Sequence, residues 1–250
     1  GGEVSPPLRH IVDFVLLEGF YQPTVVVLHE PMPTWVGRHA VTRDTKALAQ
    51  LSLNLVEQRH TAVWTVSQLP SDALELYPIP RPLGGVLVFG ANCLLRLNQA
   101  TPPYGVSLNS HAHHWSASFP LREQPNCSPI TLDRSIKVQL DPERIFLVLS
   151  GGEIYVLALV SEGRNFKGFD FQRLASSVLP ACGCRVGSRH VFLGSRVGDS
   201  RLLWFQQSVL TAGAADSGDV EHRPAKRLHV EDDFDIYGDE SYQHQGAKIS

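Results

Sequence analysis

Several things are scarce in this chain of 250 residues. It has one methionine, Met32, and four cysteines, Cys93, Cys127, Cys182 and Cys184, unevenly placed. So sparse a set suits free thiols in a reducing compartment better than a disulfide framework. No apolar run approaches the roughly 20 residues of a membrane-crossing helix, and no signal-peptide pattern is present. There is no Gly-x-Ser-x-Gly elbow, no Walker loop, no dinucleotide fingerprint and no His-Glu-x-x-His helix. Local signatures of catalysis are therefore missing, and no cofactor is expected. The start Gly1-Gly2, with Met32 as the one methionine, reads as a fragment of something longer. Asn126-Cys127-Ser128 fits a glycosylation triplet, a pattern common by chance.

What is present is turn chemistry. Glycine (20) and proline (17) are frequent, and 43% hydrophobic content is ample for a core. Phe192 to Trp204 reads as two apolar strands around Gly198-Asp199, a pair that supplies the positive φ of a tight hairpin. The scheme repeats. Arg144 to Leu149 and Glu153 to Val160 flank Ser150-Gly151-Gly152, and Val86 to Phe89 and Leu94 to Leu97 flank Gly90-Ala91-Asn92. Thr24 to His29 pairs with Ala47 to Leu53 across a longer, proline-containing loop. Further strands are expected at 11–16, 60–66, 105–109, 116–119, 135–140 and 165–171, with at most one helical turn, at 173–179.

The compact turns recur at roughly 45 to 60 residues, the range of propeller blades. Strands such as Ile145 to Leu149 are apolar at nearly every position, as strands buried on both faces are. The reading is all-β: a partial β-propeller of about four antiparallel four-stranded blades in residues 1–207, followed by a disordered linker, 208–250. A large β-sandwich is the alternative. The linker carries a net charge of −5 against +2 for the preceding residues and has little apolar mass. Such a segment does not offset its ordering entropy. Within it Arg223, Lys226 and Arg227 are a candidate nuclear-import cluster, and 231–240 is an acidic stretch suited to docking or to plain solvation.

Other candidate residues are few. His111, His113 and His114 crowd a polar stretch but lack a cysteine or carboxylate partner nearby in sequence, and read as a surface loop rather than a metal site. Cys182-Gly183-Cys184 is one ligand pair where zinc sites recruit two, and reads as small residues on a strand or turn. Arg185, Arg189, Arg196 and Arg201 form a candidate rim for an acidic or phosphate-bearing partner, or else guard a strand edge.

The hairpin Phe192 to Leu203 resembles one shared by the large multi-propeller scaffold proteins: the damaged-DNA-binding adaptor, a large splicing-factor subunit and the largest subunit of the cleavage and polyadenylation specificity factor. The segments 17–24, 82–86 and 150–157 and the run Asn98-Gln99-Ala100-Thr101-Pro102-Pro103-Tyr104-Gly105-Val106 point to the polyadenylation branch. The resemblance covers about residues 11 to 237 and implies the later part of the first propeller and its following linker. Gly151, Gly152, Gly194, Ser195, Gly198 and Asp199 are then family-motif hairpin positions. The basic cluster departs from the family pattern, a longer lysine-rich run that Ala225 interrupts here. The resemblance implies a non-catalytic scaffold in nuclear pre-mRNA cleavage and polyadenylation. Its partners would be a WD-repeat and a CCCH zinc-finger subunit, with pre-mRNA engaged mostly indirectly and neither membrane nor small-molecule substrate involved. Splicing or ubiquitin-ligase and DNA-repair adaptor work is the alternative within the family. A propeller enzyme or glycan-binding lectin is the alternative outside it.

Overall fold

The computed structural model describes residues 8–38, 41–116, 118–124, 129–209 and 226–235, with 207–209 and 226–235 as backbone. The fold is all-β. The first sheet is formed by β1 (Ile11–Leu17), β2 (Thr24–His29), β3 (Lys46–Asn54) and β4 (Arg59–Leu69), in that order. The second contains β5 (Ala73–Pro78), β6 (Val86–Gly90), β7 (Cys93–Asn98), β8 (Thr101–Ser107) and β9 (Leu121–Glu123). A short helix, α1 (Ala112–Trp115), lies between β8 and β9 in sequence. The third runs β10 (Ile136–Asp141), β11 (Arg144–Val148), β12 (Glu153–Glu162), β13 (Asn165–Ser176). The fourth is β14 (Pro180–Val186), β15 (His190–Ser195), β16 (Arg201–Val209), β17 (Lys226–Asp235). Four sheets of consecutive, mostly antiparallel strands are the blades of a partial propeller.

The expected hairpins form. Phe89 faces Leu94, Leu193 faces Arg201, and Thr24 and His29 face Ser52 and Ala47. Three expectations are corrected, and one further strand is seen. The second sheet has five strands, because β9 pairs in parallel with β8, Gly105 facing Leu121. Residues 173–179 hold no helix: β13 continues to Ser176, with Leu174 and Ala175 packed on the core. Among the described residues Ser116, Ser118 and Phe119 lie in no strand, and Asp44 accepts hydrogen bonds from Ser116 Oγ, Ser118 N and Ser118 Oγ. Within the segment expected to be disordered, 226–235 forms β17, whose backbone pairs with β16 from Val209–Lys226 to Arg201–Asp235. Backbone pairing along an otherwise open edge needs no apolar mass in the added strand, a contribution that composition does not register.

Backbone packing divides the chain into two compact units. One comprises residues 1–134, 141–144 and 157–172, the other 135–140, 145–156 and 173–250. In the first, Val26 and Leu28 of β2, Leu48 of β3, Leu76 of β5, Val86 and Val88 of β6, and Leu95 and Leu97 of β7 share one core. The opposite face of β2 and β3 is apolar too: Val27, Ala49 and Leu51 are buried against Leu8, Val25, Leu53 and Ala62. This is why β2 is apolar from Val25 to Leu28 and β3 from Ala47 to Ala49. Along that face lies a cavity of about 210 Å³, lined by Leu8, His29, Ala47, Ala49, Leu51 and His60 among others. In the second unit Val138, Leu140, Phe146, Val148, Ile154, Val156, Val191, Leu193 and Leu203 make the core. Each such side chain contributes about 1.5–3 kcal/mol when fully buried.

Candidate interaction surface

The motif glycines do different jobs. Gly152 has φ +91°, and a Cβ there would lie 2.6 Å from the Ser177 carbonyl oxygen, which is backbone. Only glycine combines that conformation with that approach. The turn is closed by Gly152 N–H donating to Leu149 O at 2.9 Å, and by Ser177 N–H donating to Gly152 O at 2.8 Å. Gly194 leaves room for the Cys182 sulfur, 2.6 Å from where its Cβ would sit. Gly198, φ +94°, makes the exposed turn, where nothing lies within 4 Å of the position a Cβ would take. Ser195 Oγ donates to Val197 O at 2.8 Å and accepts from Val197 N–H at 3.2 Å, so the side chain ties the turn. Asp199 is exposed beside it. These positions shape hairpins.

Arg185 and Arg189 lie by the turn between β14 and β15, and Arg196 lies in the turn that follows β15. Arg185 faces Val191 and Arg201 faces Leu193, so these two flank β15 from β14 and β16 two residues apart along it. The Arg185 guanidinium donates to the carbonyls of Gly187, Ser188 and Leu140, so it braces its own turn and β10. Arg196 is exposed. Of the basic cluster, Lys226 and Arg227 fall on β17 opposite Val209 and Ser208, and Arg223 lies outside the described residues. So does Asn126-Cys127-Ser128. His113 and His114 sit exposed on α1, whose Ala112 is buried. Among the described residues no group of three or more His, Cys, Asp or Glu is placed to hold a metal. Cys182 and Cys184 are exposed on β14.

Sequence reasoning misses two buried polar centres, both in the first unit. Asp72 accepts from Asn92 N–H at 2.9 Å, from Asn92 Nδ2 at 3.1 Å and from Cys93 Sγ at 3.6 Å, pinning the turn between β6 and β7. Arg96, 2% exposed on β7, donates to Thr101 Oγ1 at 3.1 Å and to the carbonyls of Leu83 and Gly84 at 3.2 and 3.3 Å. Its guanidinium carbon lies 4.8 Å from the Phe166 ring centroid, and its Nε is buried without a hydrogen-bond partner. Tyr104 stacks edge-on against Phe166 and Phe169, with Arg122 over its ring at 4.6 Å. A charged residue inside an apolar run, as in Leu94-Leu95-Arg96-Leu97, is the signal that marks the second centre.

Titration should report both faces of this unit. Burial pushes the Asp72 carboxyl above its ordinary 3.8, against the hydrogen bonds from Asn92 and Cys93. An acid so raised holds its proton more tightly folded than unfolded. Its contribution is therefore best below 3.8 and is lost as pH rises through the native value. His29 behaves in the opposite sense: burial lowers it from 6.5, and its Nδ1 has no partner. Stability is then lost as pH falls below 6.5. Asp72→Asn is expected to flatten the first slope and His29→Gln the second, read as urea midpoints across pH.

A third feature is the segment between β2 and β3, residues 30–45. Glu30 closes its neck, Oε1 accepting from Thr45 Oγ1 at 2.6 Å and Oε2 from Lys46 Nζ at 3.2 Å. Burial opposes ionisation of Glu30, but these partners outweigh it and hold the carboxyl below its ordinary value. A 3-10 turn, Val36–Arg38, forms the tip, and the Arg38 guanidinium lies over the Trp35 ring at 5.4 Å. Arg43 Nη1 donates to His113 O at 3.0 Å, fastening the loop's return to α1.

Known proteins share this sequence over most of its length. A family model described as the RSE1/DDB1/CPSF1 first beta-propeller matches residues 10–235. The cleavage and polyadenylation specificity factor subunit 1 of Drosophila melanogaster is 41% identical over 214 residues, 84% of this chain and 15% of that protein. The Arabidopsis thaliana protein of the same name is 32% identical over 243 residues, 97% of this chain and 16% of that one. Protein cft1 of Schizosaccharomyces pombe is 27% identical over 248 residues, 94% of this chain and 17% of its own. The chain thus spans 15–17% of the length of these relatives.

Proposed function

We propose a function from one premise: the chain belongs to the RSE1/DDB1/CPSF1 first-propeller family. On that premise it is part of a propeller scaffold of the cleavage and polyadenylation specificity factor type, acting in mRNA processing without catalysing a reaction itself. The observation that carries the reading is the 41% identity, over 84% of the chain, to a protein named as subunit 1 of that factor. The internal chemistry accords with it. Asp72 and Arg96 are consumed in holding turns, and Gly152 and Ser195 in shaping hairpins.

The finer reading is that the full-length protein works in the nucleus and holds a WD-repeat and a CCCH zinc-finger subunit that recognise the polyadenylation signal. Pre-mRNA is engaged mainly through them. A rigid sheet framework fixes its partners in advance, so less ordering cost remains when RNA binds. Residues 1–207 are the propeller part, and the segment after them is a linker that also lends β17 to the fourth sheet. Nuclear import is carried elsewhere than Lys226 and Arg227, whose backbones are already committed to a strand.

The test is affinity purification of the tagged full-length protein from nuclear extract, with mass spectrometry. Recovery of the WD-repeat and zinc-finger polyadenylation subunits is the expected result. Recovery of splicing or ubiquitin-ligase subunits instead would keep the fold and overturn the branch.

A further inference from the structure

The described parts of the loop between β2 and β3, residues 30–38 and 41–45, are braced and yet show apolar side chains to water. Its neck is shut by the Glu30 contacts, Thr34 Oγ1 bridges to Thr42 O at 3.5 Å, and Val41 N–H and Thr42 N–H both donate to Arg38 O at 2.9 Å. Its return is bolted to the following segment by Arg43 on His113 O and by Asp44 on Ser116 and Ser118. A closed loop of this length that does not collapse on its own apolar residues is the kind that carries recognition. Met32 and Trp35 are 64% and 63% exposed, Val36 and Val41 89% and 86%. Single exposed apolar residues are ordinary, but four large ones within one braced loop are not.

Charge narrows the occupant. The acids of the loop are spent: Glu30 on Thr45 and Lys46, Asp44 on Ser116 and Ser118. Among the described residues of the loop, Arg38 lies over Trp35 at the tip and Arg43 sits on the return. An apolar tip with a guanidinium against its Trp and no unengaged carboxylate of its own fits a peptide in which aspartate or glutamate flanks a bulky apolar side chain. It suits single-stranded RNA poorly. One face of Trp35 is already taken by Arg38, and the other exposed apolar residues described in the loop, Met32, Val36 and Val41, are not aromatic.

We propose that the loop 30–45 is a docking site for an acidic-apolar peptide segment of a partner protein, with Trp35 and Val36 as the apolar anchor and Arg38 as the charge contact. The site rests on the scaffold reading for its biological setting, since it deepens what a scaffold would hold.

The experiment pans a phage-displayed random dodecapeptide library on the full-length protein. Winning peptides are synthesised with a fluorescein label and titrated by anisotropy. The expected result is enrichment of peptides with acids beside Leu, Phe or Trp, and binding that weakens with salt. Affinity should fall about thirtyfold in the double variant Trp35→Ala, Val36→Ser. Arg38→Glu should weaken acidic peptides and be rescued by the same peptides with Lys for Glu. Because these side chains are exposed, thermal melts should be unchanged. Peptides without acidic bias, or binding indifferent to all three substitutions, would overturn the proposal. So would a uridine-rich oligonucleotide that binds the loop in their place, or hydroxyl-radical footprinting in which Trp35 of the free full-length protein is already shielded. If the polyadenylation subunits still co-purify while the loop takes no peptide, this site falls and the scaffold reading stands.

Discussion

Arg96→Ala is expected to lower the unfolding free energy by about 3–5 kcal/mol, seen as a shift in the urea midpoint. The Arg96 cation is held by two carbonyl dipoles, one hydroxyl and the face of Phe166. Truncation leaves the carbonyls of Leu83 and Gly84 and the Thr101 hydroxyl short of a donor and opens a cavity beside β7. Arg96→Lys should recover little, since one ammonium does not span Thr101 and the two loop carbonyls as a planar fork does. Arg96→Met should fall between, filling the volume while leaving the carbonyls unpaired. A near-neutral Arg96→Ala would show that water or local relaxation satisfies the loop, and would refute the fork as its anchor.

Gly152→Ala is the second large effect, about 3 kcal/mol. The methyl would meet the Ser177 oxygen at 2.6 Å from a residue at φ +91°, so steric and conformational costs coincide, and the obstacle is backbone. Its neighbours calibrate it. Gly198→Ala keeps the unfavourable φ but meets nothing within 4 Å, and should cost about 1 kcal/mol. Gly151→Ala would meet only the Glu153 carboxylate, which can swing away, and should cost under about 0.5 kcal/mol. Denaturant melts of the three variants should therefore rank 152, 198, 151. Any other order would break the separation of backbone clash from dihedral strain.

The parts of this architecture that are legible in the sequence are those decided locally. Gly90-Ala91-Asn92, Ser150-Gly151-Gly152 and Gly198-Asp199 are turns whose chemistry sits within a few residues, and the strands around them fall within a residue or two of their expected places, except that β16 runs on to Val209. Strands β5 and β14 escape a sequence reading because Ala73–Pro78 carries a glutamate and a proline and Pro180–Val186 carries Cys-Gly-Cys, neither being β-branched or alternating. The bend at 116–119 is invisible because its cause, Asp44, is more than seventy residues away. The same separation hides the surface chemistry. Arginines close in sequence suggest one rim, but only the strand register shows that β15 sets Arg189 and Arg196 at its two ends while Arg185 and Arg201 flank it two residues apart. The loop 30–45 reads as a connection and not as a site, because exposure of Trp35 and closure by Glu30 with Lys46 are properties of the folded loop.

The order of strands in the four sheets follows the order of the chain, β9 alone departing from antiparallel neighbour pairing. Where neighbouring strands meet across tight turns, as β6 with β7 and β15 with β16, the entropy spent on closure is small. That keeps those contacts close in sequence and favours their early formation. On a ribosome, each sheet can begin pairing as soon as its second strand has emerged, before the next sheet exists. Longer connections delay β3, which reaches β2 across 30–45, and most of all β17, which reaches β16 from beyond residue 225 and emerges last. It should be the last strand of the four sheets to gain protection from hydrogen exchange.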